Sequence, residues 1–373
     1  LHVVQVNFLP APAGLDASGV FERWPSLADI PEAAASAGVR VSVIQAAAHG
    51  EQRVRDGVDY RFIDIAAVRR IAERGRRIAG VIDRLDADVL HVHGLGFAAD
   101  ANAVSRHLPR LPVLFQDHAD RPPRWWRRSV YRRWHANTAG VAFTALELAQ
   151  PFLEHGLFDA RTRLFAIPES SCRFTLGQRQ RARAEAGVYG DPCVAWVGHL
   201  NAGKDPLTVL DGVAQVAAQL PDLRLWCAFG SAPLLHDVQR RITQDPRLSG
   251  RVHLLGKMPH VRVERLLQSA DLFVSGSLAE SCGYALLEAM ACGATPVVTD
   301  IPSFRALTDH GRVGELWPCG DSERLATALW RATQKRTSPA RVRAHFDAHL
   351  SFAAVGRQWA EAYAQVLSGS GAS

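Results

Sequence analysis

An α/β protein with two parallel-sheet domains is the fold class this sequence predicts. Three observations carry that expectation. Short apolar runs alternate with helical patterns along nearly the whole chain, and strands that alternate with helices pair in parallel with both faces covered. The alternation lapses once, over 168–192, and then restarts. The length of 373 residues exceeds what one hydrophobic core usually serves.

In chain order, HVVQVNF opens as a strand, a helical region runs to Ala37, and VRVSVIQ (39–45) is the second strand. An amphipathic segment with Val68, Ile71, Ile78, Ile82 and Leu85 on one face leads into VLHVH (89–93), and PVLFQ, GVAFT and RLFAI continue the series. The stretch PESSCRFTLGQRQRARAEAGVYGDP is polar and basic without an apolar period and suits a connection between domains. CVAWVG (193–198), LRLWCAF (223–229), RVHLLG (251–256), DLFVSGS (271–277) and TPVVTD (295–300) form the second series. SFAAVGRQWAEAYAQVL (351–367) reads as a closing amphipathic helix. The expected division is 1–170, a linker at 171–190, 191–348, and a helix over 349–373 that crosses back to the first domain and ends in a short flexible tail.

Composition narrows the function classes. With 47% hydrophobic and 21% charged residues the chain is ordinary globular protein, and no apolar run reaches the length of a membrane span. The opening LHVVQVNFLPAPAG reads as a strand and not as a signal peptide, so the expected location is cytoplasmic, with peripheral contact at the inner face of the membrane as its extension. Six scattered cysteines without a CxxC pair indicate neither a disulfide framework nor a zinc site. A net charge of +6 favours anionic partners. Much of the excess lies in RPPRWWRRSVYRRWH (121–135), with six arginines among three tryptophans and a tyrosine. The favoured reading there is an amphipathic helix whose aromatics face the core, the alternative is an anionic membrane contact, and nucleic acid is not expected.

Two loops carry the chemistry. In ESCGYALLEAMACG (280–293) apolar residues recur at helical spacing from Ala285 and Gly293 caps the end, so Glu280 falls in the loop after a strand and Glu288 inside the helix. That crevice at the carboxyl end of a strand, facing a helix N-terminus, is where open α/β sheets bind anions. WVGHLNAGKDP (196–206) leaves a strand through Gly198 and Gly203 and presents Lys204 before the next helix, as a phosphate-facing loop does. Asp205 stands where a Walker loop needs Ser or Thr. Asp86-Ala87-Asp88 is read as a polar turn, and the expected chemistry uses no metal or other cofactor.

These stretches resemble glycosyltransferase family 4, retaining nucleotide-sugar enzymes of the GT-B fold. ESCGYALLEAMACGATPVV matches the family's E-x7-E element, and WVGHLNAGKD resembles its glycine and lysine loop, with His199 where arginine is usual. The resemblance implies two Rossmann-like domains facing across a cleft and transfer of a sugar from a nucleotide-diphosphate donor, UDP favoured and GDP the alternative, to a hydroxyl on a glycan, lipid-linked or small-molecule acceptor. It implies that Glu288 binds the ribose hydroxyls and Glu280 the donor sugar. Backbone near Cys282, Gly283 and Tyr284 would then meet the sugar and diphosphate, Lys204, Gly198 and His199 the phosphates, and the loop at Lys257 and Met258 the base. On the acceptor side it points to His118, with His93 and Gly14 as weaker candidates, and it makes His118, Lys204 and Glu280 the catalytic set. The rival readings are a noncatalytic nucleotide-sugar-binding protein of the same fold and another GT-B enzyme, an epimerase or a phosphorylase.

Overall fold

The structure, a computed structural model, describes residues 1–335 and 337–370; the expected tail lies outside them. The chain forms two compact units, one of residues 1–170 with the C-terminal segment from Phe352, the other of 171–351.

The first unit holds β1 (His2–Asn7), β2 (Arg40–Ala47), β3 (Glu51–Arg55), β4 (Val58–Asp64), β5 (Val89–His93), β6 (Val113–Gln116), β7 (Thr138–Phe143) and β8 (Arg163–Ala166) in one sheet. Their order is β3-β4-β2-β1-β5-β6-β7-β8. All pairs are parallel except β3 with β4. Val3, Val4 and Val6 of β1 are fully buried because helices cover both faces. The chain runs from β1 outward to β2 on one side and later returns to β5 on the other, so the carboxyl ends of β1 and β5 flank a topological switch point, the place where such sheets bind ligands. The helix Phe352–Ser370 seals this unit with buried Val355, Trp359 and Tyr363. It lies close on the helix Ser26–Ser36, since a Cβ at Gly356 would collide with the Ala33 carbonyl.

The second unit holds β9 (Cys193–Gly198), β10 (Arg224–Phe229), β11 (Val252–Gly256), β12 (Leu272–Ser275), β13 (Thr295–Thr299) and β14 (Glu315–Trp317). Their order is β11-β10-β9-β12-β13-β14, and every pair is parallel. Here the order reverses between β9 and β12, which sets the loops that follow them side by side. Those are the loops bearing Lys204 and Glu280.

Three features depart from the sequence reading. Residues 171–190 are not a free linker: the helix Arg179–Ala186 buries Ala182, and Arg183 and Arg179 pair with Asp271 at 2.6 and 3.0 Å, which fixes the segment to the second unit. The hairpin of β3 and β4 was not expected, because EQRVR is charged and exposed; its turn, Asp56-Gly57 with φ of 46° and 79°, is the local signal that reveals it. Trp125 and Trp126 do not face the core. They are 75% and 55% exposed, whereas Tyr131 and Trp134 pack against it and the buried His135 ring lies against Phe115 and Phe158.

Candidate functional site

In the second unit β9 ends at Gly198 and the chain turns through His199 and Leu200 into a short 3-10 turn, Ala202–Lys204. Asn201 caps this turn by accepting the Lys204 N–H at 3.1 Å. Asp205, in the left-handed region at φ 42°, caps the helix Pro206–Val216 through the Thr208 N–H. The Leu278 N–H donates to the Gly203 carbonyl at 2.9 Å, tying the two loops together. The consequence is an ion pair between Lys204 Nζ and Glu280 Oε1, with both side chains largely covered. The loops after β9 and β12 therefore meet through charged residues 76 positions apart in sequence.

The helix Tyr284–Ala291 begins after Gly283, which sits at φ +83° with the Phe304 ring 2.6 Å from where a Cβ would be. Only glycine meets both demands. Cys282 is buried and Tyr284 exposed. Glu288, within the helix, contacts His260 Nε2 at 2.7 Å. Burial raises its proton affinity above that of an ordinary carboxyl, and the His260 contact works in the other direction. His199 accepts the Ser231 N–H on Nδ1 at 3.1 Å. That contact occupies Nδ1 and leaves Nε2 as the ring nitrogen available to a ligand, a single point of contact in place of the fork of donors an arginine would supply. Met258 packs against the core cluster that contains Cys282 and Leu286, while the neighbouring Lys257 is exposed.

In the first unit His93 ends β5 and His118 follows β6, and the two rings meet with Nδ1 to Nε2 at 3.2 Å. His118 Nδ1 lies 2.7 Å from Glu169 Oε1. Asp120 folds the loop by accepting the Leu95 and Gly96 N–H groups at 2.7 and 2.9 Å. Asp117 is pushed up to about 6 by burial. Gly14 stands apart in an exposed turn at φ +80° with open space around it.

Of the residues expected from sequence, the structure brings Lys204 against Glu280 and His93 against His118. Sequence reasoning did not name Glu169, which meets His118, or His260, which meets Glu288, nor Gln5 and Tyr363, which lie 2.9 Å from His93 Nε2 and 2.7 Å from His91 Nδ1. His260 closes the quoted segment HLLGKMPH and sits at the start of the helix His260–Ser269, the signal available for it. Asp86 ends the helix Ile71–Leu85 at φ 53°, and Asp88 accepts the His2 N–H at 2.7 Å, so that acidic pair is a turn. Among the described residues no group of three or more His, Cys, Asp or Glu side chains is arranged to hold a metal ion, and no helix is long and apolar enough to cross a membrane.

Residues 191–335 match the family described as "Glycosyl transferases group 1". A D-inositol 3-phosphate glycosyltransferase from Nocardia farcinica is 28% identical over 228 residues, 59% of this chain and 49% of that protein. The Mycobacterium tuberculosis protein of the same name is 37% identical over 129 residues, 34% of this chain and 26% of its own length. The chain thus spans about half or less of the curated relatives it matches. Among solved structures, a glycosyltransferase from Rickettsia africae superposes with a TM-score of 0.74 at 13% identity over 98% of both chains. Anabaena HepE in complex with UDP-glucose gives 0.67 at 17% identity, covering 98% of this chain and 99% of that one. At such identities the likeness is one of fold, two Rossmann-like domains of the GT-B type.

Proposed function

We propose, for a chain whose residues 191–335 match the group 1 glycosyl transferases, that it transfers a sugar with retention from a nucleotide-diphosphate donor, a UDP-sugar by preference, to a hydroxyl acceptor. The observation that carries this reading is the meeting of Lys204 and Glu280 at the switch point of the second sheet, ahead of the helix Tyr284–Ala291 that carries the largely covered Glu288. A departing nucleotide leaves charge on its phosphate, and Lys204 is placed to stabilise it once donor has separated it from Glu280. Glu288 is the acceptor-only group for the ribose diol, and Glu280 that for the sugar hydroxyls. His199 adds a hydrogen bond to the phosphates. This charge supply comes from the chain's own residues, so turnover is expected to persist in EDTA.

The test is UDP release from UDP-sugars, measured with and without acceptors that include inositol 3-phosphate, the compound named in its relatives. Acceptor-stimulated release supports the reading. Binding of UDP without any release would leave the noncatalytic binding protein standing instead.

The exposed Trp125 and Trp126 within a run of arginines support an anionic lipid surface as a partner of residues 121–135. Arg124 stacks on Trp126 at 5.2 Å and Arg127 on Tyr131 at 5.3 Å, which couples the charges to the apolar rings. The expected result is that Trp125→Ala with Trp126→Ala lowers co-sedimentation with phosphatidylglycerol-containing vesicles at least about tenfold, as does replacing Arg127, Arg128, Arg132 and Arg133 with Ser. Unchanged sedimentation of both variants would mean that the tryptophans serve another contact.

A further inference from the structure

The Glu288 carboxylate, with its side chain 17% exposed, meets a histidine ring that is 72% exposed, at 2.7 Å. A histidine in so open a place would ordinarily hold a carboxylate weakly. Here the ring is braced. His260 is the first residue of the helix His260–Ser269, and its ring packs against the buried Phe174 with centroids 4.5 Å apart. Phe174 is fixed in turn from two sides. Its carbonyl accepts from Arg343 Nη1 at 2.9 Å, and the same nitrogen donates to the carbonyl of Ala291, the last residue of the helix that carries Glu288. The following residue, Thr175, donates its N–H to Glu264 Oε1 at 2.9 Å, on the helix that begins with His260. The segment of Phe174 is therefore tied to both helices, and the His260 ring is held where those helices bring it to Glu288.

An ionised carboxylate only accepts, so the proton in this contact lies on His260 Nε2. Each carboxylate oxygen offers two lone pairs, and one donor on Oε1 leaves capacity for both hydroxyls of a diol. A carboxylate already turned to its ligand loses less freedom on binding than one on a loose side chain. We infer that His260, backed by Phe174, is a positioning residue that presets the Glu288 carboxylate for the ribose diol, and so sets how well the site tells a ribonucleotide from its 2′-deoxy form. The inference deepens the donor reading and rests on its assignment of Glu288 to the ribose. It also gives a role to part of the segment 171–190, which reads from sequence as a linker. Of the other ionisable groups around Glu288, the Cys172 and Cys292 thiols are kept protonated by burial, Glu264 is engaged by Thr175, and Arg343 by the two carbonyls. Among the described residues these leave His260 as the donor to the carboxylate.

The test is calorimetric titration of UDP and 2′-deoxy-UDP into wild type, His260→Phe and His260→Gln. Phenylalanine keeps a ring against Phe174 and removes the donor, whereas glutamine supplies an amide donor again. In His260→Phe the affinity for UDP is expected to fall roughly three- to tenfold, the scale of ordering one long side chain on binding, with a smaller loss for 2′-deoxy-UDP. His260→Gln is expected to recover part of the preference. With a UDP-sugar, donor KM is expected to rise in His260→Phe while kcat holds, because the diol is bound alike in the ground and transition states. In a Glu288→Gln background the same substitution is expected to add nothing further. In the free protein the Glu288 carboxyl, followed by carbon NMR and assigned by its loss in Glu288→Gln, is expected to titrate at higher pH in His260→Phe, since a donor that favours the ionised form is gone. Equal losses for the two nucleotides, as from a ring that stacks on the base, overturn the inference, as does a Glu288 titration that His260→Phe leaves unmoved. Discrimination that is lost in Glu288→Gln yet kept in His260→Phe sinks this inference alone. Discrimination kept in both sinks the assignment of Glu288 to the ribose along with it.

Discussion

Replacing Lys204 with alanine is expected to lower turnover by roughly two to three orders of magnitude, the scale of losing one fixed group that stabilises developing charge. The same change leaves Glu280, whose side chain is only 16% exposed, without its cation. That loss is expected to cost about 1–3 kcal/mol of stability, the penalty of a covered charged group deprived of its partner. The two effects can be separated. Adding Glu280→Gln to Lys204→Ala removes the orphaned charge, so unfolding temperature should recover while turnover stays low. Because Glu280 itself serves the donor sugar, the double variant is compared with Glu280→Gln alone: a Lys204 that serves the phosphates makes the double variant slower still, whereas one that served only the ion pair would leave the two equal. His199→Arg provides the converse check: it adds a cation beside the lysine loop at the expense of the Ser231 contact, and activity is expected to be retained. Full steady-state UDP release from the Lys204→Ala protein would end the assignment of this loop to the phosphates.

The part of the site readable from sequence is the part in which a single local segment states its own geometry. ESCGYALLEAM names a strand end, a glycine that alone fits the φ +83° position against Phe304, and a helix, so Glu280 and Glu288 could be placed before any contact was known. Sheet alternation likewise fixed both series of parallel strands, since buried β1 and β9 read as continuous apolar runs. The hairpin of β3 and β4 escaped because an exposed edge strand keeps no apolar pattern, and only Asp56-Gly57 marks it. The partners of His118 escaped for a different reason. Glu169 lies 51 residues from His118, and Tyr363 lies 272 residues from His91. No periodicity links such positions. The contacts exist because a parallel sheet brings β1, β5 and β6 side by side and the C-terminal helix returns to the same unit.

Glu288→Gln is expected to weaken UDP binding by about 1.5–3 kcal/mol, roughly 10- to 100-fold, while leaving the unfolding temperature unchanged or higher. The affinity loss follows because an ionised carboxylate accepts from both hydroxyls of a ribose, whereas an amide offers one acceptor oxygen. The stability effect follows from burial. Glu288 holds its proton more tightly in the folded chain than in the unfolded one, where the usual value is 4.5. Ionisation therefore penalises the fold, by nothing below the unfolded value and by the full amount once pH has passed the raised folded one. Glutamine escapes that penalty, so its stability relative to wild type should grow as pH rises through the window and level off above it. UDP binding by the wild type should move in step, weakening as pH is lowered through the same window because a protonated carboxyl loses an acceptor site. Calorimetric titration of UDP across pH, set beside thermal unfolding of both proteins, reads the two trends together. A nucleotide affinity that Glu288→Gln leaves unchanged at neutral pH would remove the carboxylate from the donor site and leave its burial against His260 as a matter of packing alone.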